Sequence, residues 1–145
     1  MSGRAALAPS HDAAWYPFSH RVGVRFADTD AMGVVHHARY LPYLEETRIA
    51  LLGAAGHPYT VVRANGVDIA VIEVAMRYLL PARFGDTVDI GARLGSTTRT
   101  TFQIAYLLRR ADEVLATAVT VHACLDNASG RPLRLPAWLA DLAAA

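Results

Sequence analysis

The 145-residue chain contains no lysine and only one cysteine, and its charge is nearly balanced. All 14 basic side chains are therefore arginines, which excludes Schiff-base chemistry on lysine and leaves planar guanidinium forks for any phosphate contact. Cys124 alone allows no intrachain disulfide and no thiolate metal cluster, and it fits a reducing compartment. A net charge of +1 argues against a dedicated nucleic-acid binder, which would carry a strong basic excess. No apolar run approaches a membrane span, and the segment Met1 to Pro9 is too weakly apolar for a signal peptide, so the expected address is cytoplasmic. Disorder over most of the chain is also excluded, because 53% of the residues are hydrophobic and 19% charged. The length suits one domain, read as residues 15–145, with residues 1–14 as a mobile tail.

What is present is a change of period along the chain. From Phe18 to Phe26, Phe18, Val22, Val24 and Phe26 fall on alternate positions, which predicts a half-buried strand. From about His37 to Ala55 the spacing turns helical, with Tyr40, Leu41, Leu44, Arg48, Leu51, Leu52 and Ala55 at steps of three and four. Pro42 must sit in the first turn of that helix, and Gly56 before His57-Pro58 ends it. Alternation returns over Val67–Leu80, Thr87–Leu94, Thr100–Arg109 and Val114–Leu125, with a short helix expected over Pro136–Leu142. One long helix and about five strands with short connections imply an α+β fold, a curved antiparallel sheet wrapped around a central helix. The long strands leave edges that a second subunit could cover.

The segment Asp28-Thr29-Asp30-Ala31-Met32-Gly33-Val34-Val35-His36-His37-Ala38-Arg39-Tyr40 joins two carboxylates, a glycine turn and the start of the long helix. Free N–H groups at a helix start carry about half a positive charge and suit an oxyanion. A carboxylate just upstream could attack a bound carbonyl or activate water toward it. The competing reading is that Asp28 and Asp30 only build and cap the turn. A metal site using His36, His37 and the aspartates is disfavoured, since adjacent residues rarely point at one ion.

This segment resembles the signature of hotdog-fold acyl-CoA thioesterases, most closely the 4-hydroxybenzoyl-CoA thioesterase or YbgC-like family. The resemblance continues through Tyr43 to Arg48, Tyr78 to Asp86, Val121 to Asp126 and Gly130-Arg131-Pro132, in one colinear order. It implies a hotdog fold that hydrolyses an acyl-CoA thioester to free acid and coenzyme A. Asp30 matches the family's catalytic carboxylate, as nucleophile or general base. The His37 backbone N–H matches the donor to the thioester oxygen, and its side chain a histidine that positions substrate or water. Gly33, Val34 and Tyr40 fall where substrate would bind, and an N–H near Asp68 or Ile69 would come from a second subunit. Arg99 aligns with a basic cluster that holds the nucleotide, thinner here, with Arg131 and Arg134 as further candidates. No metal and no cofactor is implied beyond the coenzyme A of the substrate.

Other positions have plainer readings. Glu45 pairs with Arg48 at three-residue spacing, Glu73 reads as a paired strand glutamate, and Cys124 as a small buried residue. Met32, Met76 and Tyr78 are candidates to shape the pocket. The expected partners are an acyl-CoA, with an acyl carrier protein as the alternative, and further copies of the chain as a homodimer or dimer of dimers, with no nucleic acid and no membrane span. The alternative functions are an acyl-carrier-protein thioesterase, a hotdog hydratase or dehydratase, and a non-catalytic acyl-thioester binding module.

Overall fold

The alternating runs pair into one antiparallel sheet in the computed structural model, which describes residues 5–145. The elements are β1 (Phe18–Gly23), α1 (Tyr40–Ala54), α2 (Tyr59–Ala64), β2 (Val67–Tyr78), β3 (Thr87–Gly95), β4 (Thr101–Arg110), β5 (Glu113–Asp126) and α3 (Ala137–Ala144). The strand order β1-β3-β4-β5-β2 leaves β1 and β2 as the outer strands. On β3 the expected face is buried, with Val88, Ile90 and Ala92 fully covered and Leu94 nearly so. The sheet closes on α1 through Tyr40, Tyr43, Leu44, Thr47, Arg48, Leu51 and Leu52, the buried positions of the helix. Steps of three and four keep them on one face.

Three local expectations change. β1 stops at Gly23, and Phe26 enters a single 3₁₀ turn (Phe26–Asp28) with its side chain 75% exposed, so the strand does not reach it. Leu41 faces outward on α1, while Tyr43 and Thr47 face the sheet. The helix ends as expected: Gly56 adopts φ +89°, and the His57 N–H donates to the Leu52 carbonyl at 2.8 Å. The short α2 was not foreseen, because six residues offer too few turns for a period to show.

β4 and β5 are buried on both faces, which one helix layer cannot explain. The second cover comes from residues before β1. Residues 1–4 of the expected tail lie outside the described residues. Beyond them the Ala6 and Leu7 N–H groups donate to Gln103 Oε1 at 2.8 and 3.2 Å, and Tyr16 packs on Ala105 and Leu107. Gly91 is required beneath that ring, since a Cβ there would stand 2.9 Å from Tyr16 Cγ. Glu73 accepts the Ala5 N–H at 3.0 Å, a hydrogen-bonded strand glutamate as expected. β2 breaks register between Val71 and Glu73 and leaves Val71, Ile72 and Val74 40–50% exposed. Among the described residues no helix is long and apolar enough to cross a membrane.

Candidate active site

The loop between β1 and α1 is held at both ends, and its two aspartates separate there. Asp28 is 1% exposed. Its Oδ2 accepts from the Arg25 N–H at 3.0 Å and from the Tyr43 hydroxyl at 2.7 Å, and Oδ1 accepts from Arg25 Nη2 at 2.9 Å. Burial pushes the carboxyl up, but these hydrogen bonds together with the Arg25 charge outweigh it and hold Asp28 down to about 2. The Tyr43 phenol moves the other way, raised by burial and by the carboxylate it faces. Asp28 therefore ties the loop to α1, and its carboxylate has little left to offer a substrate.

Asp30 opens a tight turn. Its N–H donates to the Val34 carbonyl at 2.9 Å, its carbonyl accepts from the Gly33 N–H at 2.9 Å, and Oδ1 accepts from the Met32 N–H at 2.9 Å. Gly33 holds φ +76°, a conformation that L side chains rarely adopt. The Val35 N–H bonds to the Ala82 carbonyl at 2.8 Å, strapping the turn to the segment after β2. The half-buried Asp30 then borders a cleft of about 320 Å³, lined also by Met32, Val34, His37, Tyr40, Tyr78 and Leu80. Oδ2 has no hydrogen-bond partner among the described residues.

The far wall of the cleft is the start of the helical run. α1 proper begins at Tyr40, one 3₁₀ turn (His37–Arg39) later than expected. The Ala38 N–H is capped by His36 Nδ1 at 3.2 Å, whereas the His37 N–H has no acceptor among the described residues. The Tyr78 hydroxyl donates to the His37 carbonyl at 3.1 Å, fixing that peptide against the end of β2. Asp30, Val34, His37 and Tyr40 are thus brought together, with Gly33 shaping the turn.

Asp68, Ile69 and Arg99 are not at this cleft. Asp68 pairs with Arg63 at 2.7 Å, and the Ile69 N–H donates to the Tyr59 hydroxyl at 3.1 Å. Arg99 and Arg134 line a separate cavity of about 370 Å³. Among the described residues no group of three His, Cys, Asp or Glu is placed to hold a metal ion. Two polar residues not counted among the site residues from sequence turn out to be buried together: Arg48, also paired with Glu45 at 3.7 Å as expected, is 5% exposed, and its Nη1 donates to Nδ1 of the fully buried His122 at 3.3 Å. The signal was present, since Arg48 occupies the apolar stripe of α1 and His122 an apolar strand.

The model of the thioesterase-like superfamily matches residues 24–142. The chain belongs to the thioesterase-like superfamily. Within it, the chain is 30% identical over 120 residues to a 1,4-dihydroxy-2-naphthoyl-CoA hydrolase of Synechococcus elongatus, covering 81% of this chain and 88% of that one. It is 29% identical over 120 residues to the acyl-CoA thioester hydrolase YbgC of Escherichia coli O157:H7, covering 82% and 90%. A solved 1,4-dihydroxy-2-naphthoyl-CoA thioesterase from Synechocystis superposes with a TM-score of 0.80 at 22% identity, covering 88% and 95%. The five-stranded sheet around α1 is accordingly the hotdog fold of this superfamily, and the Asp30 cleft is its candidate active site.

Proposed function

We propose that this member of the superfamily hydrolyses an acyl-CoA thioester to a free acid and coenzyme A, with Asp30 as nucleophile or general base. The observation that carries the reading is the pairing, across one cleft, of a carboxylate oxygen and a backbone N–H that have no hydrogen-bond partner among the described residues. With the thioester oxygen on the His37 N–H, negative charge developing there is stabilised, a contribution on the order of a hundredfold or more per donor. As general base, Asp30 takes a proton from water, the hydroxide adds to the carbonyl carbon, and the C–S bond breaks as the thiolate leaves with the proton. As nucleophile, Asp30 displaces the thiolate to form an anhydride that water then opens. The His37 ring, tilted against that of His36 with centroids 4.2 Å apart, stands at the cleft wall to position substrate or water.

The reading extends to a homodimer built on β2. Its outer edge pairs with no strand among the described residues, and over Ile69 to Tyr78 it runs about 30 Å at ~3.3 Å per residue. Antiparallel pairing with a second copy about Glu73–Val74 brings Asp68, Ile69 and Arg99 of that copy to the end of β2 that borders the Asp30 cleft. There Arg99 and Arg134 would meet the nucleotide of coenzyme A, and the Ile69 N–H would reach the substrate only if Tyr59 released it. An acyl carrier protein is the alternative thioester carrier, favoured by the exposed Arg39 and by Arg83 beside Gly33. The reducing environment that suits the lone, buried Cys124 supports a cytoplasmic address.

The test is free-thiol release from a panel of acyl-CoAs, with the matching acyl-carrier thioesters alongside. Turnover on coenzyme A is expected. Addition or loss of water with the thioester intact would point instead to a hydratase, and binding without turnover to a sensor.

A further inference from the structure

A second cavity, of about 450 Å³, lies between α1 and β2 and borders the same first helical turn as the Asp30 cleft: His37 lines the cleft and Ala38 this cavity. Its walls are apolar, including Leu41, Leu44 and Val74, but Arg48, Tyr106, Thr120 and His122 give it a polar floor. Arginine can only donate, so the bond to His122 Nδ1 places the ring proton on Nε2, which donates to Thr120 Oγ1 at 2.7 Å. Thr120 in turn donates to the Tyr106 hydroxyl at 3.2 Å. The relay ends there: Tyr106 is 1% exposed, and its own O–H has no acceptor among the described residues. Burial and the Arg48 charge, against the opposing Ala70 carbonyl, hold His122 down to about 3, so the ring is neutral and gives Arg48 no counter-charge. Among the described residues Arg48 is ion-paired with Glu45, at 3.7 Å and 63% exposed. A buried guanidinium that makes a single hydrogen bond among the described residues and a buried phenol proton thus border one open cavity.

We propose that this cavity receives the far end of the acyl group and selects acyl chains that end in a carboxylate, held by Arg48 and Tyr106. The proposal rests on the hydrolase reading of the Asp30 cleft. A carboxylate matches the guanidinium fork and supplies a buried counter-charge that no described residue gives Arg48. From Leu41 to Arg48 the helix rises about 10 Å, which sets the chain to medium length. Tyr106 and Arg48 are binding residues here and touch no reacting atom.

The test compares kcat/KM for ω-carboxyacyl-CoAs, from glutaryl to suberyl, with unsubstituted acyl-CoAs of equal length. The wild type is expected to favour the carboxylated member of at least one pair. Arg48→Gln lowers that ratio roughly 10- to 100-fold, and Tyr106→Phe, which keeps the packing, lowers it by a smaller factor. A ratio near one in the wild type, a ratio unmoved in Tyr106→Phe, or a preference for hydroxyaryl acyl groups would overturn the proposal. Calorimetric binding of the same pairs to the wild-type protein separates the two readings. A carboxylate preference in binding with no thiol release retires the hydrolase and keeps the pocket, while turnover without preference does the reverse.

Discussion

Asp28 and Asp30 stand two residues apart in one loop, and the fold treats them in opposite ways. Asp28 is enclosed, bonded through both oxygens to Arg25 and Tyr43, and held as an anion well below the usual carboxylate range. Asp30 is half-buried at the edge of a cleft, with one oxygen engaged in its own turn and the other without a partner among the described residues. The first arrangement strengthens the native state, and the second leaves a carboxylate facing an open space. Residue type and spacing alone make the two look interchangeable; the difference lies in which of them meets the hydroxyl of Tyr43 on α1.

The contrast can be broken by mutation. Asp28→Ala leaves the Tyr43 hydroxyl and the Arg25 head without their acceptor, and should cost about 3 kcal/mol, seen as a melting temperature lowered by roughly 10 °C. Acid sharpens the same point. Because the native carboxyl is held at about 2 against 3.8 for the free group, its contribution is complete above pH ~4 and is lost as pH falls toward 2, roughly 2 kcal/mol in all. Urea titrations across that window should show a larger loss in the wild type than in Asp28→Asn, where only the smaller share of other lowered carboxyls such as Asp86 remains. The His122 limb, in which stability falls as pH drops below 6.5 toward 3, should persist in both. Tyr43→Phe removes one charge-assisted bond and should cost about 1.5 kcal/mol by denaturant midpoint. Smallest is Gly33→Ala: the left-handed turn that aims Asp30 would carry a strain of about 1 kcal/mol, and thiol release should fall more than stability does.

Much of the architecture could be read from periodicity, because a strand or helix with one buried face repeats its side chains at a fixed interval. The β3 alternation and the α1 stripe are seen in the structure nearly as expected. Phe26 kept the strand's period yet left the sheet, since Arg25 and Asp28 bond to each other and coil the chain into a turn. The second cover on β4 was hidden because Leu7 and Tyr16 sit in a segment with no period of its own. The resemblance located the Asp30 turn and the His37 peptide, but not the later start of α1, which depends on the His36 ring capping Ala38. Arg48 and His122 are far apart in the chain, so no local pattern could show that they meet.

The most direct measurement is thiol release by Asp30→Asn alongside its melting curve, with a coenzyme A thioester that the wild type turns over. The amide keeps the Oδ1 bond to Met32 but can neither attack nor take a proton, so kcat/KM should fall by about 10²- to 10⁴-fold while the melting temperature stays within roughly 2 °C of wild type. Turnover retained within tenfold, or a melting temperature lowered as far as in Asp28→Ala, would contradict the assignment of Asp30 as the reacting carboxylate.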